Sequence, residues 1–500
     1  MLVAVLVILL LALLYKVTQR PSGFPPGVWG WPIVGYVPPR DVPLAQHLNT
    51  LRKKFGDIFT MKMGTHMAVI LSDFQLIKTA FNKPELQGRP DFFTLKIFTN
   101  FKNAGIISSV GDVWQKNRRF ALQHLKYFGM GKSKLESSVQ REALNLLNDL
   151  EASVGIPTEL TWNINMAILN VTWQLAAARS YSVDDKEILE FFKMVSVNFD
   201  IIQGPAALLD LYPRLIHIMP TFLKNSWMRV NQLDESRERI HSLLKDIIDD
   251  HCKTLDTDNP RDYIDVYLTE HLKDDTHLPA LGHQDILTNT EYINLLANLS
   301  DLFVAGSETT SSTLRWACLY LALHPEVQTK IQKEIDSVVP RDTLPSLEHK
   351  EELVYLEATL REVQRKGTIV PLGVVHSATA DTTVAGYSFP EGTLFMACIE
   401  GCHHDPRYWE RPQDFNPDHF LDQEGKLLNK KDGFLPFSLG RRQCLGESLA
   451  RMELFIFVSA LLQRFTISPP PNVELSTDSD PSKPFFNFAK PYKVILAKRG

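Results

Sequence analysis

The chain has 500 residues, 53 Lys and Arg against 58 Asp and Glu, and a net charge of −5 at neutral pH. Its basic residues are scattered rather than blocked, so composition names no nucleic-acid partner. The five cysteines (Cys252, Cys318, Cys398, Cys402 and Cys444) are odd in number and irregular in spacing, which excludes a secreted disulfide framework. A reducing, cytosol-facing setting leaves each thiol free to act alone.

In chain order, residues 1–15 form an unbroken apolar run, followed by Lys16 and Arg20. No basic residue precedes the run and no small-residue cleavage site follows it, so residues 1–16 read as a membrane anchor, not a signal peptide. Charge on the C-terminal side places the rest of the chain in the cytosol. Fifteen helical residues reach about 22 Å, and Lys16 can snorkel to meet a thin bilayer of about 27 Å. Residues 17–36 carry Pro21, Pro25, Pro26 and Pro32 and read as a stiff, non-helical hinge. Residues 37–500 read as one domain, with no internal linker or repeat.

Within that domain, residues 59–71 alternate as a strand does, and residues 368–398 form a second β-rich region broken by Pro371, Gly373, Gly386 and Pro390. Most of the rest reads helical, with apolar residues at three and four spacing over 142–150, 187–199 and 236–248. Residues 256–262 and 273–284 are polar and read as surface loops. Residues 290–323 contain no proline and are closed by Pro325, which predicts a helix of about 50 Å. Its middle, Ala305-Gly306-Ser307-Glu308-Thr309-Thr310, sets an acid and hydroxyls among apolar residues, so it is expected to face a cavity. There Thr309 can turn its hydroxyl to the carbonyl of Ala305 and distort the helix.

The sharpest signal is Phe437-Ser438-Leu439-Gly440-Arg441-Arg442-Gln443-Cys444-Leu445-Gly446, leading into an apolar helix. A cysteine at a helix N-terminus meets free amides and the dipole, which favour a thiolate. Gly440 and Gly446 allow close approach to something large and flat. Arg442 offers a fixed positive charge, and Phe437 can cover the sulfur.

This pattern, F-x-x-G-x-R-x-C-x-G, resembles the haem-ligand signature of the cytochrome P-450 family at every fixed position. Four further segments are similar. Glu362 and Arg365 match E-x-x-R, and its third partner falls at His419 where the family more often has arginine, as in microsomal members similar to the second mammalian family and its arthropod relatives. Trp114 and Arg118 match W-x-x-x-R, and His376 stands where another propionate donor is placed. Residues 305–310 match the A/G-G-x-D/E-T-T/S stretch, in which Gly306 makes room for dioxygen.

The resemblance implies a mainly α fold with a small β lobe, the cytochrome P-450 fold, clamping haem b between the long helix and the Cys444 loop. It implies that Cys444 binds the iron, that Trp114, Arg118, His376 and Arg442 hold the propionates, and that Glu308 and Thr309 deliver protons. It implies a monooxygenase that puts one atom of dioxygen into a lipophilic substrate (a steroid, fatty acid, isoprenoid or foreign compound). No flavin or NADPH segment is recognised, so electrons from NADPH are expected through a separate flavoprotein reductase, with cytochrome b5 as a further partner, at the endoplasmic reticulum membrane. Lys116, Arg118, Arg119, Arg441, Lys430 and Lys431 are the expected basic docking surface. By analogy the substrate pocket is lined from 98–107, 199–209, 369–374 and 486–488, with Ala297 and Asp301. A haem-thiolate isomerase or dehydratase, and a haem sensor, are the alternatives; the intact Glu308–Thr309 pair weighs against the first.

Some patterns fail on chemistry. Residues 129–133 resemble a phosphate loop, but Lys126 replaces the first glycine. Cys398, Cys402, His403 and His404 match no common zinc spacing. Asn170 and Asn298 head glycosylation sequons that a cytosolic body would leave unused.

Overall fold

The computed structural model describes residues 20–39, 42–127, 129, 133–271 and 287–500. The expected anchor at 1–16 and the polar stretch 273–284 lie outside the described residues. No helix among the described residues is long and apolar enough to cross a membrane.

The strands are β1 (Gly27–Val28), β2 (Ile58–Met63), β3 (His66–Leu71), β4 (His376–Ser377), β5 (Thr382–Val384), β6 (Tyr387–Phe389), β7 (Leu394–Ala397), β8 (Phe465–Ser468) and β9 (Ile495–Lys498). Five of them make one sheet in the order β1-β2-β3-β7-β4. The alternating run at 59–71 is two antiparallel strands, because the chain reverses at Gly64, which has φ 58°. Alternation reports which side chains face inward and is blind to a reversal that keeps them there. The proline-rich stretch contributes β1, which runs parallel to β2, so part of it belongs to the sheet.

Helices of twelve residues or more are α1 (Leu44–Phe55), α2 (Gly111–Tyr127), α3 (Ser133–Glu151), α4 (Thr161–Ala177), α5 (Lys186–Ile202), α6 (Val230–Lys253), α7 (Asn289–Leu323), α8 (Pro325–Val338), α9 (Val354–Gly367) and α10 (Glu447–Arg464). The chain is thus mainly helical with a small β lobe. The longest, α7, has 35 residues and starts from a capping box in which Thr288 and Glu291 satisfy each other's amides. Pro325 supplies the first residue of α8, where its missing N–H costs nothing. Both α4 and α10 are buried almost all round and lie against α7, with Trp173 stacked on Phe303 at 3.9 Å. That layering puts the middle of α7 at the centre of the molecule.

Below α9, a closed polar knot ties down the chain that leads to Cys444. Arg365 and Glu362 are fully buried and make two parallel bonds of 2.7 Å. Arg365 also donates to the carbonyls of His403, Pro412 and Asp414, each at 2.8 Å. His419 approaches Glu362 at 3.2 Å through Nδ1 and the Glu410 carbonyl at 2.6 Å through Nε2. Burial works to raise the Glu362 carboxyl, but Arg365, His419 and the Asn416 amide outweigh it and hold it below the ordinary glutamate value.

The same packing settles the discarded motifs. His403 bonds Thr368 at 2.7 Å and the Leu435 amide at 3.0 Å, which leaves it no lone pair for a metal. Asn170 and Asn298 are buried.

Arg365→Leu is expected to cost about 3–5 kcal/mol by stranding Glu362, read as a lowered urea midpoint. Because the folded Glu362 is depressed, its contribution is present above the ordinary glutamate range and is lost as pH falls through the folded value. The acid limb of the stability–pH curve should therefore flatten in the variant.

Candidate active site

Cys444 is placed by a tight loop between two rigid pieces. Its amide donates to the Phe437 carbonyl at 3.0 Å, and Gln443 closes on Gly440 at 3.1 Å. Ser438 and Gly440 hold left-handed φ values of 60° and 80°. Gly440 is required there for a second reason: a Cβ would lie 2.2 Å from the Phe81 carbonyl oxygen. The close approach at Gly440 is therefore to protein backbone, whereas a Cβ at Gly446 would meet nothing within 4 Å. Phe437 packs under the Arg451 guanidinium, 4.9 Å from its carbon.

The Cys444 side chain is accessible, but to an interior space, and enough protein surrounds it that burial pushes the thiol up. The amides of Gly446 and Glu447 and the charge of Arg118 pull the other way without winning. The amides at the start of α10 thus favour the thiolate, as the sequence leads one to expect, while burial opposes it.

In the middle of α7, Ala305 is exposed within a helix whose neighbours Phe303 and Ser307 are buried, so that face is left uncovered by protein. Thr309 donates its hydroxyl to the Ala305 carbonyl at 2.8 Å, and α7 stays helical through it. Gly306 points elsewhere: a Cβ there would sit 3.2 Å from Thr172 Oγ1 on α4, so its role is helix approach and not room for a ligand. Burial raises the Glu308 carboxyl, with Arg315 and Ser312 opposing.

Near Cys444 is a knot of cations that no carboxylate among the described residues answers. Arg442 donates to the carbonyls of Gln87, Ile106 and Ser109 at 2.9, 3.2 and 2.6 Å, and lies 3.9 Å over the Trp114 ring. Arg89, which sequence reasoning missed, donates to Ile107, Val374 and Val375. Arg118, expected on the docking surface, turns inward and donates to the Gln443 carbonyl at 2.6 Å. Burial, then mutual repulsion, brings Arg442 down to about 8; burial and Arg118 bring Arg89 down to about 9.

His376 stacks on Phe81 at 3.9 Å and bonds the Leu86 carbonyl at 2.6 Å through Nδ1. Burial and the two arginines Arg89 and Arg442 push it well below its usual value. As a neutral ring its one N–H is committed to Leu86, so donating to a second anion requires the imidazolium. The Trp114 indole N–H is buried with no partner. Buried cations and an orphaned donor around an accessible thiol, facing an exposed strip of helix, fit a flat cofactor that carries carboxylates.

Two pieces of the wall are also fixed. Asp301 on α7 accepts from the amides of Ile106 and Ile107 at 2.6 and 2.9 Å, with its carboxyl raised by burial to about 6. Phe199, Phe486 and Phe488 form an aromatic cluster with centroids 5.3–6.3 Å apart. The signal for Arg89 lay only in its partners, carbonyls 18 and about 285 residues away, which a local motif cannot register.

Because the Trp114 N–H bonds nothing in the protein, Trp114→Phe should leave the unfolding of the haem-free chain nearly unchanged. It should speed haem transfer to an apo-globin acceptor by about 10- to 100-fold, the worth of one charge-assisted hydrogen bond of about 1.5–3 kcal/mol.

The comparisons with known proteins agree with this geometry. A sequence model of the family described as Cytochrome P450 matches residues 25–496. Cytochrome P450 2L1 of Panulirus argus is 46% identical over 486 residues, covering 97% of each chain. Cytochrome P450 2J3 of Rattus norvegicus is 36% identical over 466 residues, covering 92% of this chain and 88% of its own. Cytochrome P450 18a1 of Drosophila melanogaster is 33% identical over 458 residues, covering 89% and 82%. The chain belongs to the cytochrome P450 family, the haem-thiolate monooxygenases.

Proposed function

We propose that Cys444 is the axial thiolate of this monooxygenase, with haem b between the Cys444 loop and residues 305–309 of α7. The observation that carries the reading is the unanswered cation knot beside an accessible thiol. In this reading Arg442, Arg118 and the Trp114 N–H take the propionates, with Arg89 behind them. The negative charge brought to the knot favours the imidazolium of His376, which frees its second N–H as a donor. Phe437 and the Gly440 turn keep water from the sulfur.

The bound haem supplies the dioxygen chemistry, with two electrons from NADPH through a flavoprotein reductase; one oxygen atom enters a lipophilic substrate and the other leaves as water. The work of this chain is positional and acid–base. Thr309 presents a hydroxyl already oriented by Ala305, and one residue away burial strengthens the hold of the Glu308 carboxyl on a proton. The Asp301 carboxylate pins the 105–107 turn against α7 and so holds one wall of the pocket. Phe199, Phe486 and Phe488 present apolar surface suited to a lipophilic substrate.

The partner surfaces follow from charge and hydropathy. On a concave face on the Cys444 side, Lys78, Lys350, Arg361, Lys426, Lys430, Lys431 and Arg451 outnumber Glu351, Glu357, Asp432 and Glu447, a balance that suits an acidic electron donor such as the reductase or cytochrome b5. On another face, Trp31, Ile33 and Val37 are exposed, as are Ile218, Phe222 and Trp227. The Tyr212 hydroxyl bonds the Val34 carbonyl at 2.6 Å and joins these two apolar segments. We read them as the surface that rests in the endoplasmic reticulum membrane, with residues 1–16 as anchor and the body in the cytosol.

Cys444→Ala should abolish the thiolate-type absorption band of the reduced, carbon monoxide-treated protein; the same band in the variant sinks the assignment. Glu308→Gln should keep that band and lower product formation about 10²-fold or more, with NADPH still consumed and peroxide released. Removing the anchor and replacing Phe222 with aspartate should shift the protein from floating with vesicles to sedimenting free; unchanged flotation would place the membrane surface elsewhere.

A further inference from the structure

Along α7, Glu308, Ser312 and Arg315 are spaced four and three residues apart and therefore share one face. The stripe is polar inside a helix that is otherwise buried against α4, α9 and α10. Arg315 is only 9% exposed, and no carboxylate among the described residues forms an ion pair with it. Its Nη2 donates to the Ala489 carbonyl at 3.2 Å, while its Nε is buried without a partner. The Ser312 hydroxyl lies between, close enough to hold the Glu308 carboxyl down yet short of a full hydrogen bond. Side chains on a helix lean toward its N-terminus, so the long Arg315 side chain leans back toward Ser312 and Glu308.

A buried cation without an anion is costly unless something nearby takes negative charge. Glu308 is the acid that shares its face. The groups brought in by neighbouring elements do not substitute. From α10 comes Glu453, fully buried, bonded to Thr310, and pushed by burial well above the usual value with no cation opposing. From α4 comes Thr172, opposite Gly306, which carries no charge. On α9, Glu362 and Arg365 are closed on each other. From the C-terminal segment comes Tyr492, which donates to the Arg315 carbonyl and is itself raised by burial. Two glutamates thus sit behind the centre of α7, one with a cation on its face and one without; such divergence separates an acid that exchanges protons from one that keeps its own.

We propose that Arg315 is a positioning residue for proton delivery: it is the fixed counter-charge that lets Glu308 give up a proton and take another, with Ser312 between them. The proposal rests on the reading that Glu308 relays protons. In the relay the proton leaves Glu308 for the Thr309 side and is replaced from solvent, so the acid returns unchanged and no further reactant is needed.

The test is an infrared titration of the full, haem-loaded protein without turnover, following the deuterium-sensitive protonated-carboxyl band that Glu308→Gln removes. Arg315→Gln should move its midpoint to higher pH by about one unit, a tenfold rise in proton affinity, and Arg315→Lys should leave it near the parent value. Ser312→Ala, which keeps the charge and barely changes volume, should move it the same way by less, and serves if Arg315→Gln does not hold haem. In turnover, the pH profile of product formed per NADPH should shift with the band in Arg315→Gln, and that shift should vanish when Glu308→Gln is also present. An unmoved midpoint in both Arg315→Gln and Ser312→Ala overturns the counter-charge. A moved midpoint with an unmoved turnover profile instead overturns the relay reading beneath it.

Discussion

Arg442 is buried, Arg89 and Arg118 are half-buried close beside it, and none has a carboxylate partner among the described residues. Each is satisfied by backbone carbonyls, which answer the N–H groups but not the charge. Placing such a cluster in a low-dielectric interior is unfavourable by itself, so the surrounding fold must hold it there. That requirement explains much of the local architecture. Residues 86–89, 105–110 and 374–376 are drawn together because their carbonyls are what the guanidinium groups have to bond. The site is prepared for negative charge before any ligand arrives.

The thiol follows a different logic. The Cys444 loop is specified by backbone conformation: two left-handed residues, one glycine pressed on a carbonyl, and a bond back to Phe437. Its charge state is not specified by the same means, since burial outweighs the helix amides. Geometry is thus supplied in advance and ionisation is left to the cation that the site receives. The closed knot of Glu362, Arg365 and His419 contributes at one remove, by bonding the carbonyls of 403–414 and so fixing the chain on its way to the loop.

On the other wall, α7 combines two demands. It must pack on α4 and α10 along its length, and it must present polar groups at its centre. Inward bonding of hydroxyls to the preceding turn reconciles them: Ser300, Thr309 and Thr313 each return a bond to the carbonyl four residues back. Charged side chains cannot be satisfied that way: Asp301 reaches out to the amides of Ile106 and Ile107, while Glu308 and Arg315 share one face of the helix.

The sequence alone determined the helix-rich class, the length of α7 and its proline stop, and the loop–cysteine–helix unit, because each is written in residues close together in the chain. The membership of the cysteine loop in a known family was legible for the same reason. Only the tertiary structure decided that residues 59–71 are two strands, that Gly306 serves the approach of α4 and Gly440 that of Phe81, and that Arg89 belongs to the cation knot. Apart from the hairpin, those facts depend on partners far away in the chain, such as Thr172 for Gly306 and Phe81 for Gly440. Burial, close approach and charge repulsion arise only when distant segments share one space, and no local pattern of residue types encodes who the neighbour will be.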